Sequence, residues 1–178
     1  MTRIIAGTHR GRRLAVPPGE GTRPTSDRAR EGLFSSLQSL LDLDGASVLD
    51  LYAGSGAVGL EALSRGAAHA TLVEHDRTAL RALEANAAAL DLPATVADAD
   101  VADFLSGPCS PYDLVFVDPP YETDADPVLA ALLPWLSQDA VVAVERRTRG
   151  PAPEPPEGLR VERSRRYGEA TLWYFLRS

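Results

Sequence analysis

The sequence predicts an α/β fold on a mostly parallel sheet that closes in an antiparallel C-terminal hairpin. Three observations predict it. Short continuous apolar runs such as Leu114-Val115-Phe116-Val117 alternate with amphipathic stretches through the middle of the chain. That is the pattern of strands buried on both faces and joined by helices. A glycine-rich segment, Gly54-Ser55-Gly56-Ala57-Val58-Gly59, stands where one such strand gives way to a helix. After a proline-rich loop at 151–156, two further strand-like runs flank the turn Tyr167-Gly168-Glu169.

The elements follow in order. Residues 3–6 and 12–16 predict short strands around a Gly7–Gly11 turn, a small basic hairpin. A loop holds Pro17 to Pro24. Thr25 or Ser26 then caps a helix reaching about residue 41, with Ala29, Leu33, Leu37 and Leu40 on one face. Strands are expected at 47–53, 70–74, 94–97, 112–117 and 140–144. Helices are expected at 58–65, 77–90 and 127–136, with a helical turn at 101–105. The hairpin strands are 159–166 and 170–176. There are no internal repeats.

At 178 residues and 44% apolar, the chain makes one sizeable domain with a small appendage, divided at 1–25 and 26–178. No run approaches the roughly 18 apolar residues of a membrane span, and the first residues lack the apolar core of a signal peptide. A single cysteine, Cys109, fits a reducing cytoplasm. His9, His69 and His75 have no metal-ligand spacing, so no metal is expected. The net charge of −7 argues against general affinity for nucleic acid. Yet residues 1–32 carry seven arginines against three acids, while the remainder carries 11 against 22. All 18 basic residues are arginine, which looks more like base composition than design.

The glycine segment matches G-x-G-x-x-G and opens a helix, where backbone approaches a ligand closely. Gly54, Ser55, Gly56 and Gly59 are therefore cofactor candidates. The acids around them narrow the ligand. Glu74, 20 residues after Gly54, can grip both hydroxyls of a ribose. Asp50 stands four residues before Gly54, where it repels a pyrophosphate and attracts a cation. S-adenosylmethionine carries an ammonium and a sulfonium. Asp100 can accept from an adenine amino group and the Val101 N–H can donate to the ring; a plain helix N-cap is the alternative for Asp100, and Asp98 is its near rival. Tyr52 either flanks the cofactor or simply packs.

Asp118-Pro119-Pro120-Tyr121 closes the strand at 112–117. The Asp118 carboxylate and the Pro119 carbonyl can each accept an N–H of an amino group on a flat ring. Tyr121 offers a stacking face, and the two prolines stiffen the loop. A simple turn is the alternative.

With Asp50-Leu51-Tyr52-Ala53-Gly54-Ser55-Gly56, Val73-Glu74 and Asp118-Pro119-Pro120-Tyr121 in order, the chain resembles the class I amino-methyltransferases. Three N-terminal blocks sharpen this: 3–7, Arg10-Gly11-Arg12-Arg13-Leu14, and Thr22-Arg23-Pro24-Thr25-Ser26-Asp27-Arg28-Ala29-Arg30-Glu31. Together with residues 60–67, they resemble the RsmD family over nearly the whole chain. The resemblance implies a Rossmann-like fold and methyl transfer from S-adenosylmethionine, leaving S-adenosylhomocysteine. The acceptor it implies is N2 of a guanine in 16S ribosomal RNA, within the small ribosomal subunit. By it, Asp118, Pro119 and Tyr121 face the guanine, with Pro120 in the same loop, and Asp50, the glycine loop, Glu74 and Asp100 face the cofactor. Arg10, Arg12, Arg13, Arg23 and Arg28 are the expected RNA contacts, and a cytoplasmic monomer without metal is the expected form. The alternatives are an amine of a DNA base, a protein glutamine, a non-catalytic RNA-binding module and a dinucleotide oxidoreductase.

Overall fold

In the computed structural model, which describes residues 2–19 and 26–178, two sheets are present among the described residues. The smaller pairs β1 (Thr2–Arg3) with β2 (Arg13–Leu14). The larger joins β3 (Ser47–Leu51), β4 (His69–Glu74), β5 (Ala94–Asp98), β6 (Tyr112–Val117), β7 (Leu136–Arg147), β8 (Leu159–Tyr167) and β9 (Ala170–Arg177) in the order β5-β4-β3-β6-β7-β9-β8. β3 to β7 run parallel; β9 is antiparallel to both β7 and β8. The mostly parallel sheet with its terminal hairpin is therefore as the sequence predicts.

Alternation along β3 splits the core into two layers. Val48 faces the layer of α1 (Ser26–Leu37), α2 (Ala57–Ser64) and α3 (Arg77–Leu90), with Phe34, Leu60 and Leu83. Leu49 and Leu51 face the layer of α4 (Val101–Leu105) and α5 (Asp126–Leu132), with Leu105, Leu129 and Leu132. Residues two apart on a strand share a face, so Asp50 points into the first layer.

Several boundaries depart from expectation. The N-terminal strands shrink to two residues each, because the arm bonds mainly to the body of the protein. The helix expected to reach residue 41 stops at Leu37. The helix expected over 127–136 starts at Asp126 and ends at Leu132, and Leu133–Trp135 forms a 3-10 turn. Pro134 has no N–H to continue the α ladder. β7 extends from Leu136 to Arg147, well beyond the expected 140–144, because both its neighbours supply ladder bonds.

The arm is tied down by buried polar groups. Ile4 and Leu14 sit in the first core layer. The Glu61 carboxylate is fully buried and accepts the Ile5 and Ala6 N–H groups at 2.7 and 3.0 Å. It also meets Arg65 at 2.9 Å and Arg30 at 3.6 Å. Arg30, 4% exposed, donates to the Arg3 carbonyl and pairs with Asp27. Within α1 the pair Arg30–Asp27 lies one turn apart, with Arg30 facing the body while Arg28 is exposed. Asn86 completes the attachment: its side-chain oxygen accepts from Ala15 N–H, and its amide donates to the carbonyls of Ala15 and Ser55.

Candidate active site

The central switch in strand order lies between β3 and β6, and the loops at the carboxyl ends of β3 to β7 border a cleft there. That is the position at which open α/β sheets bind ligands. The cleft has a volume of about 1310 Å³.

The glycine loop forms its floor. Three residues after β3 adopt left-handed backbone: Tyr52 (φ 59°), Gly54 (φ 57°) and Gly56 (φ 84°). A tyrosine there is uncommon, and such strain collects at functional sites. Tyr52 lines the cleft and also packs against the second core layer. Burial pushes the Tyr52 hydroxyl above its ordinary pKa, and the Asp100 charge adds to it while Arg146 opposes it. Gly59 lies one turn into α2. A Cβ there would stand 2.1 Å from Leu72 Cδ2 and 3.3 Å from Asp50 Oδ2, so any larger residue requires Leu72 to shift.

Asp50 is 1% exposed yet lines the cleft. Its Oδ2 accepts the Gly59 N–H at 3.0 Å. Burial raises its pKa to about 8; the Gly59 bond pulls it back in part, and Glu74 pushes it higher. A cation brought beside such a carboxyl would stabilise its ionised form.

Glu74 is engaged in three backbone bonds. Oε1 accepts from Gly54 N–H at 2.9 Å; Oε2 accepts from His75 and Asp76 N–H at 2.9 and 3.0 Å. The carboxylate is thereby oriented at the cleft wall, and a carboxylate with about four acceptor sites keeps room for a hydroxyl. Asp100 is the N-cap of α4, accepting from Ala102 and Asp103 N–H. It also lines the cleft, as Ala102 does. Asp98, Gly56, Gly59 and Val101 are outside the cleft lining among the described residues.

Asp118, Pro119, Pro120 and Tyr121 line the opposite wall. Arg146, nearly buried at the end of β7, donates to the Pro120 and Tyr121 carbonyls at 3.3 and 3.1 Å. The guanidinium of Arg147 stands 3.9 Å from the centre of the Tyr121 ring, a cation–π stack over one of its faces. Glu145, Arg146 and Arg147 lie beyond the expected strand of 140–144, because the apolar pattern ends at Val144 while β7 runs on to Arg147.

Arg10, Arg12, Arg13 and Arg28 are exposed and lie away from the cleft lining, although Thr2 and Val16 of the same arm border the cleft. Arg12 donates to the Ala89 carbonyl at 3.0 Å. Arg23 lies outside the described residues. No group of three or more His, Cys, Asp or Glu side chains suited to a metal occurs among the described residues. No helix among them is long and apolar enough to cross a membrane.

Comparison with known proteins places this geometry. Residues 2–176 match the family model described as conserved hypothetical protein 95. The chain is 40% identical over 179 residues to ribosomal RNA small subunit methyltransferase D of Escherichia coli K12, covering 98% of this chain and 89% of that protein. It is 33% identical to the putative rRNA methyltransferase YlbH of Bacillus subtilis, covering 93% and 94%. Among solved structures, the putative methyltransferase yhhF of Escherichia coli superposes with a TM-score of 0.89 at 36% identity, over 99% of this chain and 98% of that one.

Proposed function

Because the chain belongs to the conserved hypothetical protein 95 family, the RsmD family that its motifs resemble, we propose that it methylates N2 of a guanine in 16S ribosomal RNA within the small ribosomal subunit. S-adenosylmethionine is the methyl donor in this reading. One observation carries it: the loop built to hold an amine and the acidic glycine-loop floor share one cleft.

The residues fit the cofactor. Asp50, raised to about 8 by burial, faces the cleft where a cation stabilises it and a pyrophosphate does not. That preference also disfavours a dinucleotide oxidoreductase. From the cleft lining, Glu74 would hold the ribose hydroxyls and Asp100 the base. When bound, the cofactor supplies an electrophilic methyl on its sulfonium. The protein's part is to present the amine. The N2 lone pair is delocalised into the guanine ring; accepting its two hydrogens on the Asp118 carboxylate and the Pro119 carbonyl favours a pyramidal nitrogen with its lone pair aimed at the methyl. Arg146 fixes that loop through the neighbouring carbonyls. Tyr121 stacks on the base, worth about 1–3 kcal/mol. These contributions are positional and electrostatic.

Residues 1–25 are the RNA-contacting arm in this reading. Arg10, Arg12, Arg13, Arg23 and Arg28 contact RNA phosphates in this reading, and their small number fits docking on an assembled particle. The test is methyl transfer from labelled S-adenosylmethionine to unmodified small subunits, naked 16S RNA and duplex DNA, with the labelled nucleoside identified. N2-methylguanosine from the subunit supports the reading; label only in DNA or in another base overturns it. Asp118→Ala should abolish turnover with cofactor binding largely retained, and full turnover in that variant would remove Asp118 from the mechanism.

A further inference from the structure

Glu145 stands beside the amine-holding loop. β6 and β7 run parallel with Val117 opposite Val144, so the next step along each chain sets Asp118 alongside Glu145. Phe116 pairs with Asp50 on one side and Ala143 on the other. Residues two apart share a face, so Asp118 and Glu145 continue the face that carries Asp50. Both line the cleft. Opposite Glu145 on β9 is Leu172, which is buried and also part of the wall. Glu145 is thus a half-buried carboxylate fixed on a strand end, with Arg146 beside it tying the Asp118 loop to the same strand. Asp118 and Glu145 each interact with neighbours in the folded chain. What matters here is that two acceptors of fixed position stand side by side.

On the methyl-transfer reading above, we propose that Glu145 determines base specificity by accepting the ring N1–H of guanine. The argument is one of donors and acceptors. Each base amine in RNA has a ring nitrogen beside it. In guanine the amine lies between N3, which presents a lone pair, and N1, which carries a hydrogen, so on its N1 side N2–H and N1–H are contiguous donors. In adenine and cytosine, N1 and N3 present a lone pair instead. With the amine held at Asp118, a carboxylate at the adjacent position pairs with guanine and repels the other two. A site built to hydrogen-bond one group rejects analogues that lack it far more strongly than shape alone does.

The test uses the full chain and small ribosomal subunits in two forms: unmodified, and with adenosine replacing the guanosine that the wild-type enzyme methylates. Wild type should favour guanosine by more than about 100-fold in kcat/KM. In Glu145→Gln the side-chain amide supplies a donor. Activity on guanosine should fall roughly 10- to 100-fold, N6-methyladenosine should appear on the substituted subunit, and the guanosine-to-adenosine ratio should drop by at least 100-fold. Glu145→Ala serves as the second variant: it loses guanosine activity and narrows the ratio without the gain on adenosine. Cofactor affinity and melting temperature should stay at wild-type values in both. A ratio unchanged in both variants, whether the two activities hold or fall together, overturns the role of Glu145 and leaves the guanine reading standing. Wild-type label in adenosine or cytidine overturns the guanine reading itself, and this role with it.

Discussion

Cofactor binding should release a proton from Asp50. The carboxyl is 1% exposed, and burial holds it protonated up to about pH 8 despite the Gly59 N–H that favours its ionised form. An ammonium brought against it selects the carboxylate, so below that pH the protein gives up a proton each time it binds. Affinity should then weaken about tenfold for each pH unit below 8 and level off above it. Between about pH 8 and about pH 6 the loss is roughly 100-fold, or about 2.7 kcal/mol. Calorimetric titration with S-adenosylmethionine, in pairs of buffers differing in ionisation enthalpy, counts the protons. The expected value is close to one per cofactor near pH 6.5, vanishing toward pH 9, and Asp50→Asn should abolish the release and flatten the profile. A dissociation constant independent of pH, with no proton released by the wild-type protein, would refute the reasoning.

The same carboxyl makes a second prediction, about folding. Its pKa is 3.8 unfolded and about 8 folded, so between these values the folded chain holds a proton that the unfolded chain has released, and stability falls as pH rises through that window. The ceiling is roughly 5–6 kcal/mol, and Asp50→Asn should recover much of it in urea unfolding at pH 8 but little at pH 4. Gly59→Ala places a methyl against Leu72 and should cost about 1–3 kcal/mol in urea unfolding; a neutral result would mean that Leu72 moves aside freely. Asn86→Ala strips its bonds from Ala15 and Ser55, at about 1–3 kcal/mol. Limited proteolysis should then cut the arm near residues 15–19 faster, and an unchanged cleavage rate would argue against Asn86 as its tether. Glu61→Gln removes the buried charge facing Arg30 and Arg65, leaving Arg30 with Asp27 alone, and should destabilise by about 1–3 kcal/mol, measured the same way; a loss under about 0.5 kcal/mol would show the Glu61 charge to be dispensable.

Much of the fold was legible because its signals are local. Residues 77–90, 101–105 and 112–117 fall in the elements their periodicity predicts, and the glycine loop announces itself by spacing. The acids legible beside it, Asp50, Glu74, Asp100 and Asp118, all line the cleft, because each ends or follows a strand at the same edge of the sheet. The long-range partners were not legible. Glu61 looks like an ordinary helical acid, and nothing local says that it receives Ile5 and Ala6 from 56 and 55 residues away. Asn86 likewise sits unmarked in an alanine-rich helix. Glu145, Arg146 and Arg147 were hidden because β7 runs on through charged residues, its ladder sustained by β9 rather than by an apolar pattern.

The attachment of the arm sets an order of assembly. Residues 5–15 are made before their hydrogen-bond partners Glu61, Ser64, Asn86, Ala89 and Leu90, from which they are separated by up to 81 residues of chain. Closing loops of that length costs entropy before any contact repays it, so such contacts form slowly. This arm therefore docks late, after α2 and α3 exist to receive it. A newly made chain acquires the floor of its cleft before its arginine-bearing arm is in place, and engages RNA in the proposed manner only once both are built.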